Sequence, residues 1–395
     1  MSTIPLLRKH PLHGIRRLSV DFENGLSSVV LDDSTIHVNR LSHCVRTSAV
    51  LRVDLDVPRL EAEFRTATNT FKVGLGRANN VARVPTIYLD QNHWIDFARW
   101  EKDPALVDAE KGTVFSLLHK SASEGRLLLP ASSAHFVETF RRGLSTRSDL
   151  VGTILRNSGG WQVRNPMTVR RAELAALFGG PLPTREQVVT LEAKAAFSDA
   201  PFRHSMTPYD PNPDELFERL SWTAAHATAL FTGEDSGRGR QAATEWADSF
   251  RPLADEFRSN LKLKARGRTG TRLRFIVDLG KDFPQAAASG GVSVEDFKRL
   301  VEDDSEEAFL SLPGLGRMRQ ILHLRLANPD DRWEGNDLND WIHLSNAAGY
   351  CDLVLGEKKT VDYLRRVERT VTPGAILHYR AQDAADDIER LLDPE

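Results

Sequence analysis

Two short apolar runs, far apart in this chain, each end on a carboxylate. Residues 86–89 read as a buried strand that ends on Asp90, and Leu353-Val354-Leu355 reads as another that ends near Glu357. Helical spacing follows each run, and this alternation predicts an α/β domain with a parallel sheet and helices on both faces. Because ligands bind at the carboxyl ends of parallel strands, we expect both acids at one edge of that sheet.

Further acids lie on predicted helices near such strand ends. Glu138 follows the apolar run 127–129, and Asp337 and Asp340 stand at the start of a later helix. Several carboxylates brought together cannot all stay ionised unless a cation lies among them. Mg²⁺ and Mn²⁺ prefer oxygen ligands, and Mg²⁺ commonly binds phosphate-bearing substrates. The set therefore predicts a metal-dependent phosphodiesterase.

The order of these acids, each in its strand or helix context, resembles the PIN-domain nuclease family. The match covers about 86–143 and 315–380, through these segments: Leu89-Asp90-Gln91-Asn92, Ser132 to Glu138, Asp337 to His343 and Leu353-Val354-Leu355-Gly356-Glu357. The resemblance implies a metal-dependent endonuclease, with RNA as the usual substrate and one or two Mg²⁺ or Mn²⁺ ions. It assigns the ligand and catalytic roles to Asp90, Glu138, Asp340 and Glu357.

Two departures from the family pattern stand out. The last acid is Glu357 where the family usually has Asp, so Asp352 is the alternative ligand, and a long helical segment interrupts the domain. The resemblance further implies that Asp337 or Asp96 orients the site, with Asn92 and His343 as supporting residues.

Each of these residues also has a purely structural interpretation. Asp337 is a candidate helix N-cap, Asp340 a complement to the helix dipole, and Asp96 a surface residue. Glu138 could lie at the edge of an apolar helix face. The histidines beside the acids are either buried structural groups or supporting groups of the site. These are His93, His135 and His343.

Four regions are predicted along the chain. Residues 1–72 form a small β-rich module, in which alternation predicts strands at 18–22, 28–31, 35–38 and 51–55, followed by a linker at 73–85. The PIN-like domain occupies 86–143 and 315–395. A helical insertion fills 144–314, with one predicted helix at 184–197 and another at 213–231.

Composition limits the partners. The net charge is −3, so a nucleic-acid surface must be local, and the acid-free segment 257–274 supplies one candidate. Four of its residues either contact a phosphate backbone or form a solvated helix face that runs into a loop. They are Lys262, Lys264, Arg266 and Arg268. Two cysteines fit a reducing compartment. No apolar run is long enough to cross a membrane, so we expect a cytoplasmic protein.

These observations predict a metal-dependent endoribonuclease whose partners are an RNA substrate and a neutralising or regulatory protein. A toxin or phage-defence setting is a context that the resemblance suggests. Three alternatives stay open: a catalytically silent PIN-like scaffold that binds RNA or protein, a DNA nuclease, and a metallophosphatase. A dinucleotide site is rejected because Gly74-x-Gly76 lacks the third glycine, and no P-loop occurs.

Overall fold

A computed structural model describes most of the chain, and all structural statements below concern that part. The described residues are 14–40, 49–67, 70–74, 84–139, 143–192, 195–198, 220–221, 223–225, 227–228, 237–260, 266–302, 306–328, 330–335 and 337–393. They form a mixed α/β structure with a six-stranded antiparallel sheet and a separate three-stranded parallel sheet. The predicted mixed α/β class is confirmed at this level.

The N-terminal module is the antiparallel sheet. Its strands are β1 (Ile15–Asp21), β2 (Leu26–Leu31), β3 (Ile36–Arg40), β4 (Val50–Asp56), β5 (Glu61–Thr66) and β6 (Thr70–Gly74), in the order β3-β2-β1-β4-β5-β6. The alternation of apolar and polar residues predicts the first four strands, whereas the sequence does not predict β5 and β6. In β5 the buried Ala62 and Phe64 alternate with charged residues, which are Glu61, Glu63 and Arg65. This is the pattern of an amphipathic strand, but its many charged residues make it hard to recognise in the sequence.

The parallel sheet contains β7 (Ile87–Leu89), β10 (Leu353–Leu355) and β11 (Ile376–His378), in the order β11-β10-β7. All nine residues except Ile376 and His378 are buried. The backbone pairing continues beyond β7, since Ile87 N donates to Leu128 O at 2.9 Å and Ala131 bridges in parallel to Gln162 in β8 (Gln162–Val163). The chain thus leaves β7 toward one side and returns with β10 and β11 on the other.

Four helices follow β7 in the first α/β part: α1 (Gln91–Lys102), α2 (Ala109–Ser123), α3 (Ser133–Thr139) and α4 (Leu144–Ser158). Helix α1 buries Trp94, Ile95 and Phe97 in the apolar cluster that also holds the inner face of the N-terminal sheet. The two parts therefore share one hydrophobic core.

All but the last of the remaining elements pack around a second core, and the last buries Ile388 in the first core. They are α5 (Pro166–Leu177), α6 (Arg185–Val188), β9 (Val189–Thr190), α7 (Arg238–Ser259), α8 (Gly267–Leu279), α9 (Asp282–Ser289), α10 (Val294–Glu302), α11 (Glu306–Leu310), α12 (Pro313–Ala327), α13 (Asp337–Tyr350), α14 (Lys358–Val367) and α15 (Ala385–Leu392). Residues of α5, α7, α8 and α9 share that core with α12, α13 and β10. Helices α5, α7, α8 and α9 are thus packed directly onto the second α/β part.

One predicted helix is much shorter than expected. The segment 184–197 is helical only at Arg185–Val188, after which Val189–Thr190 pairs antiparallel with β8. A capping box of Thr184 and Gln187 starts the helix as its sequence predicts. Consecutive valines then favour an extended backbone that fills the core beside β8. The predicted helix at 213–231 lies largely outside the described residues.

None of the described helices is both long enough and apolar enough to cross a membrane.

Gly374, at the entry to β11, provides a test of this packing. A Cβ placed there would meet the guanidinium of the buried Arg317 and the carbonyl of Ala348. That carbonyl accepts a hydrogen bond from Ala375 N, directly before the strand, at 2.8 Å, so it cannot move freely. We expect Gly374→Ala to lower the free energy of unfolding by about 1–3 kcal/mol, measured by urea denaturation.

Gly74→Ala is the matched control, since a Cβ at Gly74 meets nothing within 4 Å. We expect its effect to stay within about 0.5 kcal/mol. Equal stability of the two variants would contradict the close packing around Gly374.

Candidate active site

Asp90 and Glu357 stand side by side at the carboxyl ends of adjacent strands. The register pairs Leu89 with Leu355, so the residues that follow both strands meet at one edge. Asp90 N donates to Leu355 O at 2.8 Å, which ties the first acid to the strand that precedes the second. Asp90 is the N-cap residue of α1 and Glu357 that of α14. Strand pairing, rather than loop conformation, therefore sets the separation of these acids.

Asp340 joins them from the first turn of α13. Its pKa is raised well above the ordinary value, mainly by burial and next by the negative charge of Asp90. The Asp340 carboxyl shares a hydrogen bond with Glu357, and the charges of Glu357 and Glu138 raise the pKa further. The other three predicted acids thus all lie within electrostatic reach of Asp340.

Asp90 is the most buried of the strand-end acids. Burial raises its pKa to about 6, the hydrogen bond from the Gln91 backbone opposes that shift, and the charge of Glu357 adds to it. Two of the four acids therefore hold their protons at pH values where an exposed carboxyl has lost its proton. A divalent cation among them would favour the ionised forms instead.

The donor chemistry of the group fits a hard cation. All four side chains offer carboxylate oxygens, which are the ligands that Mg²⁺ and Mn²⁺ prefer. Within the described residues, no three His, Cys, Asp or Glu side chains are already arranged as the ligands of one metal ion. Binding of an ion would therefore require the carboxyl groups to rearrange, including the hydrogen-bonded pair Asp340 and Glu357.

Asp337 belongs to a separate ion-pair network, one turn before Asp340. Its carboxylate accepts hydrogen bonds from Arg325 at 2.6 Å, from Lys359 at 2.9 Å and from the backbone of Glu334 at 2.7 Å. Arg325 is 3% exposed and also contacts Asp331. The charge of Arg325 is the main factor that lowers the pKa of Asp337. Asp337 thus anchors the start of α13.

Asp352 lies at the other edge of the sheet. It precedes β10, where its carboxylate accepts a hydrogen bond from Thr86 N at 2.7 Å and pairs with Arg185 at 2.5 Å. The sequence analysis named Asp352 as the alternative to Glu357, and this placement corrects that expectation. A residue before a strand cannot reach the edge formed by the carboxyl ends.

Two residues of α1 that were predicted to support the site, Asn92 and Asp96, are not shown in contact with the acid group. Asn92 is exposed, and Asp96 pairs with Arg99 at 3.3 Å and with Lys111 at 2.9 Å. Asp96 thus forms ion pairs on the surface of the helix, in agreement with its structural interpretation.

The three histidines near the acids are buried and neutral. Burial lowers the pKa of His93 to about 4, of His135 to about 3 and of His343 to about 4. His93 is hydrogen-bonded to the backbone of Gly356, and His135 accepts a hydrogen bond from Ser132 N at 3.0 Å. Both rings therefore hold the backbone around the acids, and burial disfavours their cationic forms.

Gln91 is a site neighbour that the sequence analysis did not single out. It is 1% exposed, and its amide nitrogen donates to the Thr139 hydroxyl at 3.0 Å. Thr139 in turn donates to His135 O at 2.6 Å. These contacts join the start of α1 to the end of α3, beside Glu138. A buried polar residue directly after a strand-end acid was the available signal.

The basic segment 257–274 is only partly described. Lys262 and Lys264 lie outside the described residues, whereas Arg266 and Arg268 are exposed at the start of α8. Arg272 is buried, and the Arg274 guanidinium packs over the Phe250 ring at 4.2 Å from its centroid. The inward arginines stabilise the helix packing, whereas Arg258, Arg266 and Arg268 are exposed among the described residues of the segment.

Comparisons with protein-family models, with curated proteins and with solved structures find no match to this chain.

The raised carboxyl pKa values predict how stability depends on pH. The folded protein keeps protons that the unfolded chain releases above the ordinary carboxyl pKa of 3.8. The free energy of unfolding should therefore fall by roughly 1–3 kcal/mol as pH rises from about 4 to about 7, and further toward about 9, the raised pKa of Asp340. Asp340→Asn should remove most of this slope, measured by urea denaturation without metal.

Metal addition supplies the companion measurement. At neutral pH, Mn²⁺ should raise the melting temperature of the wild type, because an ion that binds only the folded state stabilises it. It should raise that of Asp340→Asn much less. An unchanged pH slope in the variant, or equal stabilisation of both proteins by Mn²⁺, would contradict the electrostatic coupling of the four acids.

Proposed function

We propose that this chain is a metal-dependent endonuclease of the PIN-domain type that cleaves RNA. The observation that carries the proposal is the convergence of Asp90, Glu138, Asp340 and Glu357 at the carboxyl edge of the parallel sheet. Two of these acids come from strand ends and two from helices, as the resemblance to that family requires. Burial and mutual repulsion raise the pKa values of Asp90 and Asp340.

The position within the sheet supports a ligand site independently of the resemblance. From β7 the chain proceeds to 127–131 and β8 on one side, and β10 and β11 lie on the other. The order of the strands reverses between β7 and β10, and ligands of open α/β sheets bind at such a switch point. Asp90 and Glu357 flank this point.

Each acid has a defined part in the proposal. Asp90 and Glu357 are held by paired strands, Asp340 by α13 and Glu138 by α3, and all four would hold Mg²⁺ or Mn²⁺. When bound, such an ion would lower the pKa of a coordinated water and offset negative charge on the phosphodiester oxygens. The buried His93 would keep the Gly356–Glu357 backbone in position.

The substrate class rests on the resemblance together with local charge. Most PIN-domain nucleases cleave RNA, and the exposed Arg266 and Arg268 offer a basic surface on a chain of net charge −3. Phosphate contacts of this kind supply sequence-independent affinity for nucleic acid.

The decisive experiment compares two isosteric changes at opposite ends of the sheet. Labelled single-stranded RNA and DNA are incubated with Mn²⁺, Mg²⁺ or EDTA and each protein. We expect the wild type to cleave RNA only with metal, and Asp90→Asn to cleave at least about a hundredfold more slowly, since a catalytic metal contributes several kcal/mol. Asp352→Asn should stay within a fewfold of the wild type, because Asp352 lies at the other edge.

Other outcomes would redirect or overturn the proposal. A folded Asp90→Asn protein that cleaves as fast as the wild type would show that the acid group is not the active site. Cleavage of DNA alone would correct the substrate class. A wild type that binds RNA but neither binds Mn²⁺ nor cleaves would be a silent scaffold.

A further inference from the structure

A cluster of cations surrounds one aromatic ring directly beside Glu357. Lys358 Nζ lies 5.6 Å from the centroid of the Tyr379 ring, and the guanidinium carbons of Arg365 and Arg380 lie at 5.5 and 5.6 Å. These distances are within the range of cation–π attraction. We call these four residues the Tyr379 cluster.

Strand pairing holds the cluster next to the acids. β10 and β11 pair Leu355 with His378, and Gly356 N donates to His378 O at 2.9 Å. The residues that leave these two strands, Glu357-Lys358 and Tyr379-Arg380, are therefore neighbours at the same edge. Arg365 fixes the arrangement from α14, because its guanidinium donates twice to Leu377 O, at 3.2 and 2.6 Å.

The cluster carries positive charge that no described carboxylate pairs. Lys359, Arg317 and Arg325, on the neighbouring helices, each form salt bridges, whereas Lys358, Arg365 and Arg380 form none with any acid in the described ranges. Lys358, Arg365 and Arg380 are exposed. Three close like charges repel one another, and an anionic ligand would remove that repulsion.

We propose that the Tyr379 cluster binds the backbone of single-stranded nucleic acid and delivers it to the adjacent acids. This inference rests on the proposed function. Lys358 and Arg380 would contact phosphates, and Arg365 would hold Tyr379 as a ring against which an unpaired base can pack. Cationic grooves combined with aromatic rings are the general means of binding single strands without sequence preference.

The charge distribution explains why such a site is needed here. The four acids present negative charge to a substrate that is itself a polyanion, so their edge of the sheet repels it. A metal ion held by the acids would offset this repulsion only at the phosphate that is cleaved. Phosphates on either side need cations of the protein, and the Tyr379 cluster is positioned to contact the strand on the β11 side of Glu357.

The test measures binding separately from cleavage. Fluorescence anisotropy of a labelled single-stranded RNA is recorded in EDTA over a range of salt concentrations. We expect Lys358→Ala/Arg380→Ala to bind about tenfold more weakly or worse, and its salt slope to fall by about 1.4, since each phosphate contact on a single strand contributes about 0.7. Tyr379→Leu should bind about tenfold more weakly, whereas Tyr379→Phe should bind as the wild type does.

Lys120→Ala/Lys298→Ala is the matched control. It removes the same charge from two exposed lysines on α2 and α10, outside the sheet edge, and should leave affinity and salt slope unchanged. Unchanged binding by Lys358→Ala/Arg380→Ala would overturn the inference, as would equal affinity of the wild type for duplex RNA. Displacement of the RNA by an equal concentration of phosphopeptide would also overturn it.

The two proposals fail in different ways. If the Tyr379 cluster variants bind normally while Asp90→Asn abolishes cleavage, the cluster assignment is wrong and the nuclease stands. If those variants lose binding and the wild type cleaves neither RNA nor DNA, strand binding stands and the nuclease assignment is wrong.

Discussion

The parallel pairing of β7 with β10 is the constraint on which the candidate site depends. These strands come from distant parts of the chain, yet three successive residue pairs fix their register. Asp90 and Glu357 meet only because both strands end at the same level. A slip by one residue would separate the acids and also turn the buried side chains to the wrong face. In the same way, the pairing of β10 with β11 places Tyr379 at this edge.

The helical segment between the two α/β parts also contributes to the site. Glu173 of α5 is fully buried and accepts hydrogen bonds from Gly314 N and Leu315 N, both at 2.7 Å, at the start of α12. The hydroxyl of Tyr350, at the end of α13, donates to the same carboxylate at 2.7 Å. A carboxylate at a helix N-terminus interacts favourably with the helix dipole. Glu173 thereby fixes the helix that carries Asp340.

Features that depend on a local sequence pattern are predicted from the sequence. Features that depend on the pairing of distant strands are not. An acid directly after a short apolar run identifies Asp90, and alternation identifies the first four strands. Helix α8 begins at two glycines within a run of arginines, a composition typical of a loop, yet it is helical and buries Phe275 and Leu279 in the core. The Tyr379 cluster has no local signal, because Lys358 and Tyr379 meet only through β10 and β11.

The role of Asp337 shows why proximity in sequence does not define the acid group. Asp337 and Asp340 lie one helical turn apart, yet Asp337, Asp331, Arg325 and Lys359 form a network of two acids and two cations. This network is internally neutral, so it supplies no net positive charge to the neighbouring Asp340. Loss of Asp331 or Asp337 would leave the buried charge of Arg325 incompletely paired, which destabilises the fold. Both acids therefore have a structural role. Protons held by Asp90 and Asp340 lower the negative charge of the group in the metal-free protein, and a bound cation would do the same.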